Sequence, residues 1–415
     1  MRATFCCPLL TAILPMGYAL QAYTDQNTCP WSRLPSAFEQ FVYSPMNVMD
    51  SPNDIRDRGS SHLHNNNNGL DSNTWSTSPD CFGEYCVYTS NDFLGKGISL
   101  VTTASNHIRI AQIQIPETVS KTGYEKARIV EIPAKGKGLI ATRKIRRGER
   151  IMAANPSLLV HRNAFRELQL EDIYYLMDMA VNNLPKARKE SYLAQSGTMG
   201  GHKITDILFT NSFQVALGDY DGFHYGNFPE VSILNHDCRP NLAFFVDQHL
   251  THYTHAVRDI EPGEELTISY IDALEIRSVR QERMQNSLGF SCACSHCTLP
   301  KRESDASDSR LLAISQIESE LSDFNSRASS PAMIEEYVDL YRTEGLEYKI
   351  AGAYTLAALN YNLFGKAGLA KKYARLSVEA GLVESGPHAT DVRQMRILAD
   401  DPRSHWSWNM KPHRF

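Results

Sequence analysis

The sequence predicts an α+β protein with small antiparallel sheets, a helical insertion and a helical C-terminal domain. Two runs that alternate apolar and polar residues, Leu242 to Val246 and Tyr253 to Arg258, predict neighbouring strands. A Pro262-Gly263 turn then leads into a third short strand that ends at Tyr270. After residue 303, apolar residues recur at three- and four-residue intervals, which is typical of packed helices. A region rich in strands therefore precedes a helical one.

Length and composition restrict the class of protein. A chain of 415 residues allows two to three domains of about 150 residues each, and 42% hydrophobic residues suffice for a sizeable core. The net charge of −5 at pH 7 argues against a protein that coats nucleic acid, so we expect no direct sequence-specific contact with DNA or RNA. We also expect no membrane span, because the apolar stretch near the N-terminus is too short.

The first 120 residues carry few signals of packed structure. Residues 1–22 resemble a signal-like leader that ends in Ala19-Leu-Gln-Ala22, and an uncleaved hydrophobic leader is the alternative. Residues 23–120 are predicted to be mostly disordered, because the tract from Ser60 to Asn73 is polar and of low complexity. Within this region we expect one strand around residues 98–103. Cys81 and Cys86 would form a disulfide only in an oxidising compartment.

From Ala127 onward the pattern indicates ordered elements. Two short strands flank a glycine-rich turn, where Gly136 and Gly138 allow the backbone to approach a ligand closely. Apolar spacing predicts a helical insertion over about residues 161–200, and residues 210–216 are predicted to form a strand. We further expect a helix over residues 275–288, a charged linker over 301–308 and a helical domain over 303–400. A hairpin over residues 353–380 in that domain is similar to a tetratricopeptide unit.

Two motifs identify a family resemblance. Asn235-His-Asp-Cys-Arg-Pro-Asn241, followed by Gly263-Glu-Glu-Leu-Thr-Ile-Ser-Tyr270, resembles the paired signature of SET-domain protein lysine methyltransferases. The resemblance covers roughly residues 127–297 and is greatest to the SET-and-MYND subgroup. No cysteine lies between Cys86 and Cys238, so the MYND zinc module is absent from that interval. The resemblance implies a mostly β SET fold over residues 125–272 and a post-SET segment over 273–300.

The resemblance also implies which residues form the site. Tyr270 would be the catalytic residue, with its hydroxyl at the floor of a channel that takes a lysine side chain. S-adenosylmethionine would be the cofactor. The residues expected to contact it are Gly136, Lys137 through its backbone only, Gly138, Asn211, Ser232, Asn235, His236, Tyr270 and Phe290.

The cysteines near residue 290 predict a metal site. Cys292, Cys294 and Cys297 supply three thiolates, and structural Zn²⁺ takes four tetrahedral ligands. His296 is a local alternative for the fourth ligand, and the family resemblance implies Cys238. Disulfide pairing is the competing interpretation, but nine cysteines leave one without a partner. We expect one structural zinc ion with no ligand position open for catalysis.

Taken with the resemblance, the residues predict a methyltransferase that modifies a lysine of a protein substrate, histone or non-histone. A SET fold that binds a partner peptide without turnover is the alternative. The C-terminal helices are expected to offer a surface to protein partners. Because S-adenosylmethionine is an intracellular cofactor, we expect the nucleus or cytoplasm, with secretion as the alternative that the N-terminal leader suggests.

Overall fold

The computed structural model describes residues 75–113, 124–217 and 222–411, so the expectations for residues 1–22 and for the polar tract up to Asn73 lie outside the described residues. The strands follow in chain order as β1 (Trp75–Phe82), β2 (Tyr85–Ser90), β3 (Ile98–Thr103), β4 (Ala127–Ile132), β5 (Gly136–Ala141), β6 (Arg150–Ala154), β7 (Leu158–His161), β8 (Ser212–Ala216), β9 (Phe223–Asn227), β10 (Asn235–His236), β11 (Leu242–Val246), β12 (His252–Ala256) and β13 (Glu265–Ile268). The helices are α1 (Ala104–Ala111), α2 (Ala164–Glu167), α3 (Leu170–Asn182), α4 (Lys186–Leu193), α5 (Lys203–Asn211), α6 (Arg277–Leu288), α7 (Lys301–Ser322), α8 (Pro331–Thr343), α9 (Ile350–Leu363), α10 (Ala367–Glu384) and α11 (Thr390–Asp400).

The described strands form three small sheets, which confirms the predicted fold class. A six-stranded sheet has the order β1-β2-β3-β7-β9-β8, a four-stranded sheet has the order β10-β13-β5-β4, and a three-stranded sheet has the order β11-β12-β6. Most neighbours are antiparallel, but β3 runs parallel to β7 and β10 runs parallel to β13. The parallel pair β10–β13 joins the two motifs that carry the family resemblance.

The segment over residues 75–113 differs from our expectation of a mostly disordered region. It forms β1, β2, β3 and α1, and the predicted strand over residues 98–103 is β3. Apolar side chains of β2 and β3 are buried in the core shared with the later strands, among them Tyr88, Ile98 and Leu100. The segment is thus ordered by distant partners such as β7, which local composition cannot show. Cys81 and Cys86 lie opposite each other in the β1–β2 hairpin and form a disulfide.

Helices fill the interval between β7 and β8. The predicted insertion contains α2, α3 and α4, and it extends further than expected through α5. We predicted a strand from residue 210, but Thr210 and Asn211 belong to the last turn of α5 and the strand begins at Ser212. The buried residues Ile204, Ile207 and Leu208 explain this boundary, because their three- and four-residue spacing continues the helix.

The C-terminal region is helical, as predicted. The expected helix pair is α9 and α10, and α10 also packs against α11. Residues 301–308 are not a linker but the first turns of α7, where Ser304 and Ser307 are buried. Whether this domain is a tetratricopeptide unit stays a prediction. No helix in the described part of the chain is both long and apolar enough to cross a bilayer.

A buried carboxylate joins two helices of this domain. Glu384 ends α10, is 8% exposed, and its carboxylate oxygens accept the Ala351 N–H in the first turn of α9 at 3.1 and 3.3 Å. Burial raises the pKa of Glu384 from 4.5 to about 8, although the hydrogen bond from Ala351 and the charges of Lys349 and Arg147 oppose the shift. In this environment the carboxyl group stays largely protonated near neutral pH.

Glu384 should make stability depend on pH. Between about pH 4.5 and pH 8 the folded state holds a proton that the unfolded state has lost, so the free energy of unfolding should fall as pH rises through this window. Within the window the free energy of unfolding should fall by at most about 1.4 kcal/mol for each pH unit. Urea denaturation at intervals from pH 5 to pH 8 should show a shallower decline for Glu384→Gln than for the wild type. Glu379→Gln, an exposed carboxylate on the same helix, is the control and should keep the wild-type slope. Equal slopes in all three proteins would contradict this assignment.

Candidate functional site

The glycine turn and the Asn235 loop meet through one side-chain amide. Asn235 Nδ2 donates to the Lys137 carbonyl at 3.2 Å and to Glu265 Oε1 at 2.9 Å. Gly138 permits this approach, because a Cβ atom there would lie only 2.7 Å from Asn235 Nδ2. Gly136 begins β5 with φ of 76°, in the left-handed region that favours glycine. Lys137 and Gly138 of the turn therefore lie against the Asn235 loop.

The ring of His236 connects two parts of the site. Its Nδ1 accepts the backbone N–H of Tyr270 at 2.9 Å, and its Nε2 lies 3.3 Å from Cys238 Sγ. Burial lowers the pKa of His236 to about 3, so the ring is neutral near pH 7. Because Nδ1 accepts, the ring proton is on Nε2 and points to the sulfur. The side chain is thus fully engaged within the protein, and only the backbone of His236 is left to meet a ligand.

Tyr270 is held at both ends. Its backbone N–H is bound by His236, and its hydroxyl donates to the Leu234 carbonyl at 2.5 Å. Burial raises the pKa of the Tyr270 phenol well above its usual value, so the hydroxyl keeps its proton near neutral pH. The proton points to Leu234, which leaves the lone pairs of the phenolic oxygen as acceptors. The group can orient a ligand but cannot act as a base at pH 7.

Tyr270 lines a cavity with a mainly apolar wall. The lining residues are Thr210, Asn211, Ser212, Phe213, Gln214, Val231, Ser232, Leu234, Leu242, Ala243, Phe244, Ile268, Ser269, Tyr270, Ser287, Leu288, Tyr348, Lys349 and Glu384. Three predicted site residues, Asn211, Ser232 and Tyr270, therefore meet here. Asn211 Nδ2 donates hydrogen bonds to the carbonyls of Ser196 and Ile207. Phe290 lies outside this lining and is 37% exposed, so the cavity does not bring it to Tyr270.

Four cysteines meet beside the Asn235 loop. Cys238, Cys292, Cys294 and Cys297 are buried, and their sulfurs all lie within 4.8 Å of one another. His296, the alternative fourth ligand, points elsewhere: its Nε2 is hydrogen-bonded to Ser307 and Glu344. Gln281 of α6 holds the segment from the other side through both the N–H and the carbonyl of Cys292.

This cluster fits a structural zinc ion. A tetrahedron with Zn–S bonds of about 2.3 Å has sulfurs about 3.8 Å apart, and Cys238 Sγ and Cys297 Sγ are 3.5 Å apart. Hydrogen bonds from Cys238 and Cys292 lower the pKa of Cys294, whereas those from the other three cysteines raise the pKa of Cys238. Four adjacent sulfurs cannot all ionise unless a cation lies among them. The donor set therefore suits a metal better than four free thiols.

Comparison with known proteins identifies the domain that carries these residues. The family model for the SET domain matches residues 136–271, about a third of the chain. These residues are a SET domain. The range matched by the family model includes the glycine turn, the Asn235 loop and Tyr270, and this range ends before Cys292.

Several curated proteins are similar to this SET domain and its flanks. Histone-lysine N-methyltransferase set5 of Schizosaccharomyces pombe is 32% identical over 177 residues, which are 42% of this chain and 51% of that protein. Histone-lysine N-methyltransferase SMYD3 of Homo sapiens is 38% identical over 99 residues, which are 24% of this chain and 23% of that protein. N-lysine methyltransferase SMYD2 of Homo sapiens is 36% identical over 101 residues, 23% of each chain. The chain thus spans about half the length of one relative and about a quarter of the others.

The helical domain supplies cavity residues that the sequence did not suggest. The cavity of the SET domain is completed by three residues that lie far after Tyr270 in the chain, namely Tyr348, Lys349 and Glu384. Lys349 Nζ lies 2.8 Å from Asp272 Oδ1, and Tyr348 accepts the Ala273 N–H at 3.4 Å. Both contacts lie just after Tyr270, so the helical domain is bound to the strand end that carries the phenol. No local motif around residue 348 could have indicated this.

Gly138→Ala should weaken binding at the glycine turn. The added Cβ would lie 2.4 Å from Ile132 Cδ1 and 2.7 Å from Asn235 Nδ2, so the amide must leave the Lys137 carbonyl. We expect at least about tenfold weaker binding of S-adenosylhomocysteine by isothermal titration calorimetry, because misplaced positioning groups cost affinity steeply. Gly368→Ala on α10, where nothing lies within 4 Å of the new atom, should bind as the wild type does. Unchanged affinity in Gly138→Ala would show that the ligand does not use this turn.

Proposed function

We propose that the protein is a protein-lysine methyltransferase that uses S-adenosylmethionine. The observation that carries the proposal is the position of Tyr270: a protonated phenol, fixed by His236 and Leu234, at the wall of an apolar cavity in a SET domain. The relatives are named as histone-lysine or N-lysine methyltransferases, which supports a protein lysine as the substrate. Both histone and non-histone proteins are substrate candidates.

Methyl transfer to an amine requires a neutral nitrogen and alignment. A lysine ammonium, whose usual pKa is about 10.4, must lose its proton to water as it enters, and the apolar lining from Phe213, Leu234 and Phe244 favours the neutral form. The Tyr270 oxygen would accept an N–H of the amine. This hydrogen bond would turn the lone pair of the amine nitrogen towards the reacting carbon. When bound, S-adenosylmethionine would supply an electrophilic methyl group on its sulfonium sulfur, and that sulfur would keep the electron pair of the broken S–C bond. The chain itself contributes position and exclusion of water.

The residues around the glycine turn would hold this cofactor. Gly136, Lys137 and Gly138 offer backbone groups, and Asn235 keeps its Oδ1 as an acceptor while Nδ2 binds the turn. His236 would contribute its backbone, since its ring is engaged. Asn211 and Ser232 line the neighbouring cavity. Phe290, exposed at the surface, would contact the cofactor only at the edge of the site.

Tyr270→Phe should separate an enzyme from a peptide-binding scaffold. We expect about a hundredfold lower kcat for transfer of a radiolabelled methyl group to protein lysines, because the acceptor that aligns the amine is lost. Thermal stability should change little, since the ring is retained. Tyr175→Phe, at a half-exposed tyrosine on α3, is the control and should retain activity. Equal incorporation by the wild type and Tyr270→Phe would refute the catalytic assignment, and no transfer by the wild type would favour the scaffold.

We further propose one structural zinc ion on Cys238, Cys292, Cys294 and Cys297. All four ligands come from the protein, so the metal would hold the post-SET segment against the Asn235 loop and take no part in the reaction. The nucleus or cytoplasm remains our proposed location, and there Cys81 and Cys86, which the β1–β2 hairpin places close enough to pair, would stay reduced. The C-terminal helices are our proposed surface for protein partners.

Cys294→Ser should remove the metal. Elemental analysis of purified protein should give about one zinc per chain for the wild type and much less for the variant, with a lower Tm, because the ion contributes folding free energy. Cys81→Ser, outside the cluster, should keep its zinc. A wild-type protein purified without zinc and with the four thiols paired as disulfides would contradict the site.

A further inference from the structure

One carboxylate collects hydrogen bonds from three parts of the chain. Glu344 lies at the C-terminal end of α8 and its side chain is 0% exposed. Its Oε2 accepts from Arg239 Nη2 at 2.7 Å and from Ser307 Oγ at 2.8 Å, and it lies 3.1 Å from His296 Nε2. Its Oε1 accepts from Arg310 Nε at 2.6 Å. A single buried group thus joins the Asn235 loop, the cysteine segment and the helical domain.

The partners of Glu344 are sequence neighbours of the cysteines. Arg239 follows Cys238 directly, and its guanidinium also donates to the carbonyl of Cys238 at 2.8 Å. His296 immediately precedes Cys297, and its Nε2 is 2.9 Å from Arg239 Nη2. Cys238 and Cys297 are themselves the two ends of the cluster's 3.5 Å sulfur contact. The carboxylate therefore fixes the backbone on either side of that contact from outside the cluster.

Charge makes this arrangement sensitive to the loss of Glu344. Two guanidinium groups, Arg239 and Arg310, face one carboxylate. If the carboxylate is neutralised, the largely buried Arg239 and the half-buried Arg310 are left without their counter-ion, and removal of one partner from a buried ion pair is strongly destabilising. The two arginines belong to different parts of the chain, so their repulsion would separate the Asn235 loop from α7.

Glu344 also leads directly to the cavity wall. The chain turns at Gly345, with φ of 64°, and forms a short 3-10 helix over Glu347–Lys349. Tyr348 and Lys349 of this helix line the cavity and contact Ala273 and Asp272. A shift at Glu344 would therefore reach the strand end that carries Tyr270.

We infer that Glu344 is a positioning residue that locks the helical domain onto both halves of the cysteine cluster, so that metal retention depends on a carboxylate that is not a ligand. The inference rests on the zinc site proposed above. It predicts that the metal-binding segment and the helical domain behave as one unit.

The test compares two carboxylates of the same domain. Glu344→Gln keeps the side-chain shape and removes the charge. Glu335→Gln is the matched control: Glu335 accepts from Tyr361 at 2.5 Å and Tyr373 at 2.6 Å, entirely within the helical domain. The rate of zinc transfer from full-length protein to a chromogenic chelator should rise at least about tenfold for Glu344→Gln and less than about twofold for Glu335→Gln. The KM for a protein substrate should rise in Glu344→Gln through the shifted cavity wall.

Each outcome is decisive. Equal zinc release from the two variants, or from Glu344→Gln and the wild type, overturns the inference, because a general loss of helical stability would then suffice. If Glu344→Gln does not fold, Arg310→Gln removes one partner at a half-buried position and should give an intermediate rate. The zinc content of the wild type tests the proposed metal separately. If the wild type holds none, the rate at which iodoacetamide alkylates Cys297 takes the place of zinc release, with the same expected order of variants.

Discussion

Two residues of parallel pairing, Asn235 against Thr267 and His236 against Ile268, set the geometry on which the site depends. Parallel strands need long crossover connections, and here the crossover contains β11 and β12. The pairing brings a polar loop beside the strand that ends near Tyr270. From this register the Asn235 amide reaches the glycine turn, while the His236 ring reaches both the Tyr270 backbone and a cysteine. A slip of one residue would exchange these two side chains between the faces of the strand.

The electrostatics of the site follow from burial. Burial lowers the pKa of the His236 ring and raises the pKa of the Tyr270 phenol, so both groups remain neutral near pH 7. A neutral, apolar surrounding suits a reaction in which a cation must shed a proton before it reacts. Lys349 and Asp272 form an ion pair at the cavity wall. The site thus offers orientation and a mainly apolar wall, to which Glu384 adds a carboxyl group that is largely protonated near neutral pH.

The sequence was informative where chemistry is local. Cysteine spacing predicted the three thiolates around Cys297, because ligand spacing is a short-range property, and the two motifs carry the family resemblance that implied Cys238 and Tyr270. It was less informative where partners are distant. His236 was expected to contact the cofactor, which stays a prediction, and the position of its ring between Cys238 and Tyr270 depends on the fold. The segment containing β2 was expected to lack structure, because the core in which Tyr88 is buried is completed by residues much later in the chain, such as Leu159 of β7. Glu344 could not be found from any pattern, because a carboxylate at a helix end is ordinary until its partners converge.

The Cys81–Cys86 disulfide creates a practical conflict for anyone who handles the protein. Disulfides persist in oxidising surroundings, whereas a four-thiolate metal site survives only while its sulfurs stay reduced. A dithiol added to protect the cluster would reduce the Cys81–Cys86 disulfide. Exposure to air, which preserves this disulfide, would oxidise the cysteines of the cluster. Reduction of the Cys81–Cys86 disulfide leaves β2 paired along its whole length with β3, so the reduced form keeps its sheet. Storage with a mild reductant is therefore the safer choice, and free thiol counts on fresh and aged samples would show which sulfurs have changed.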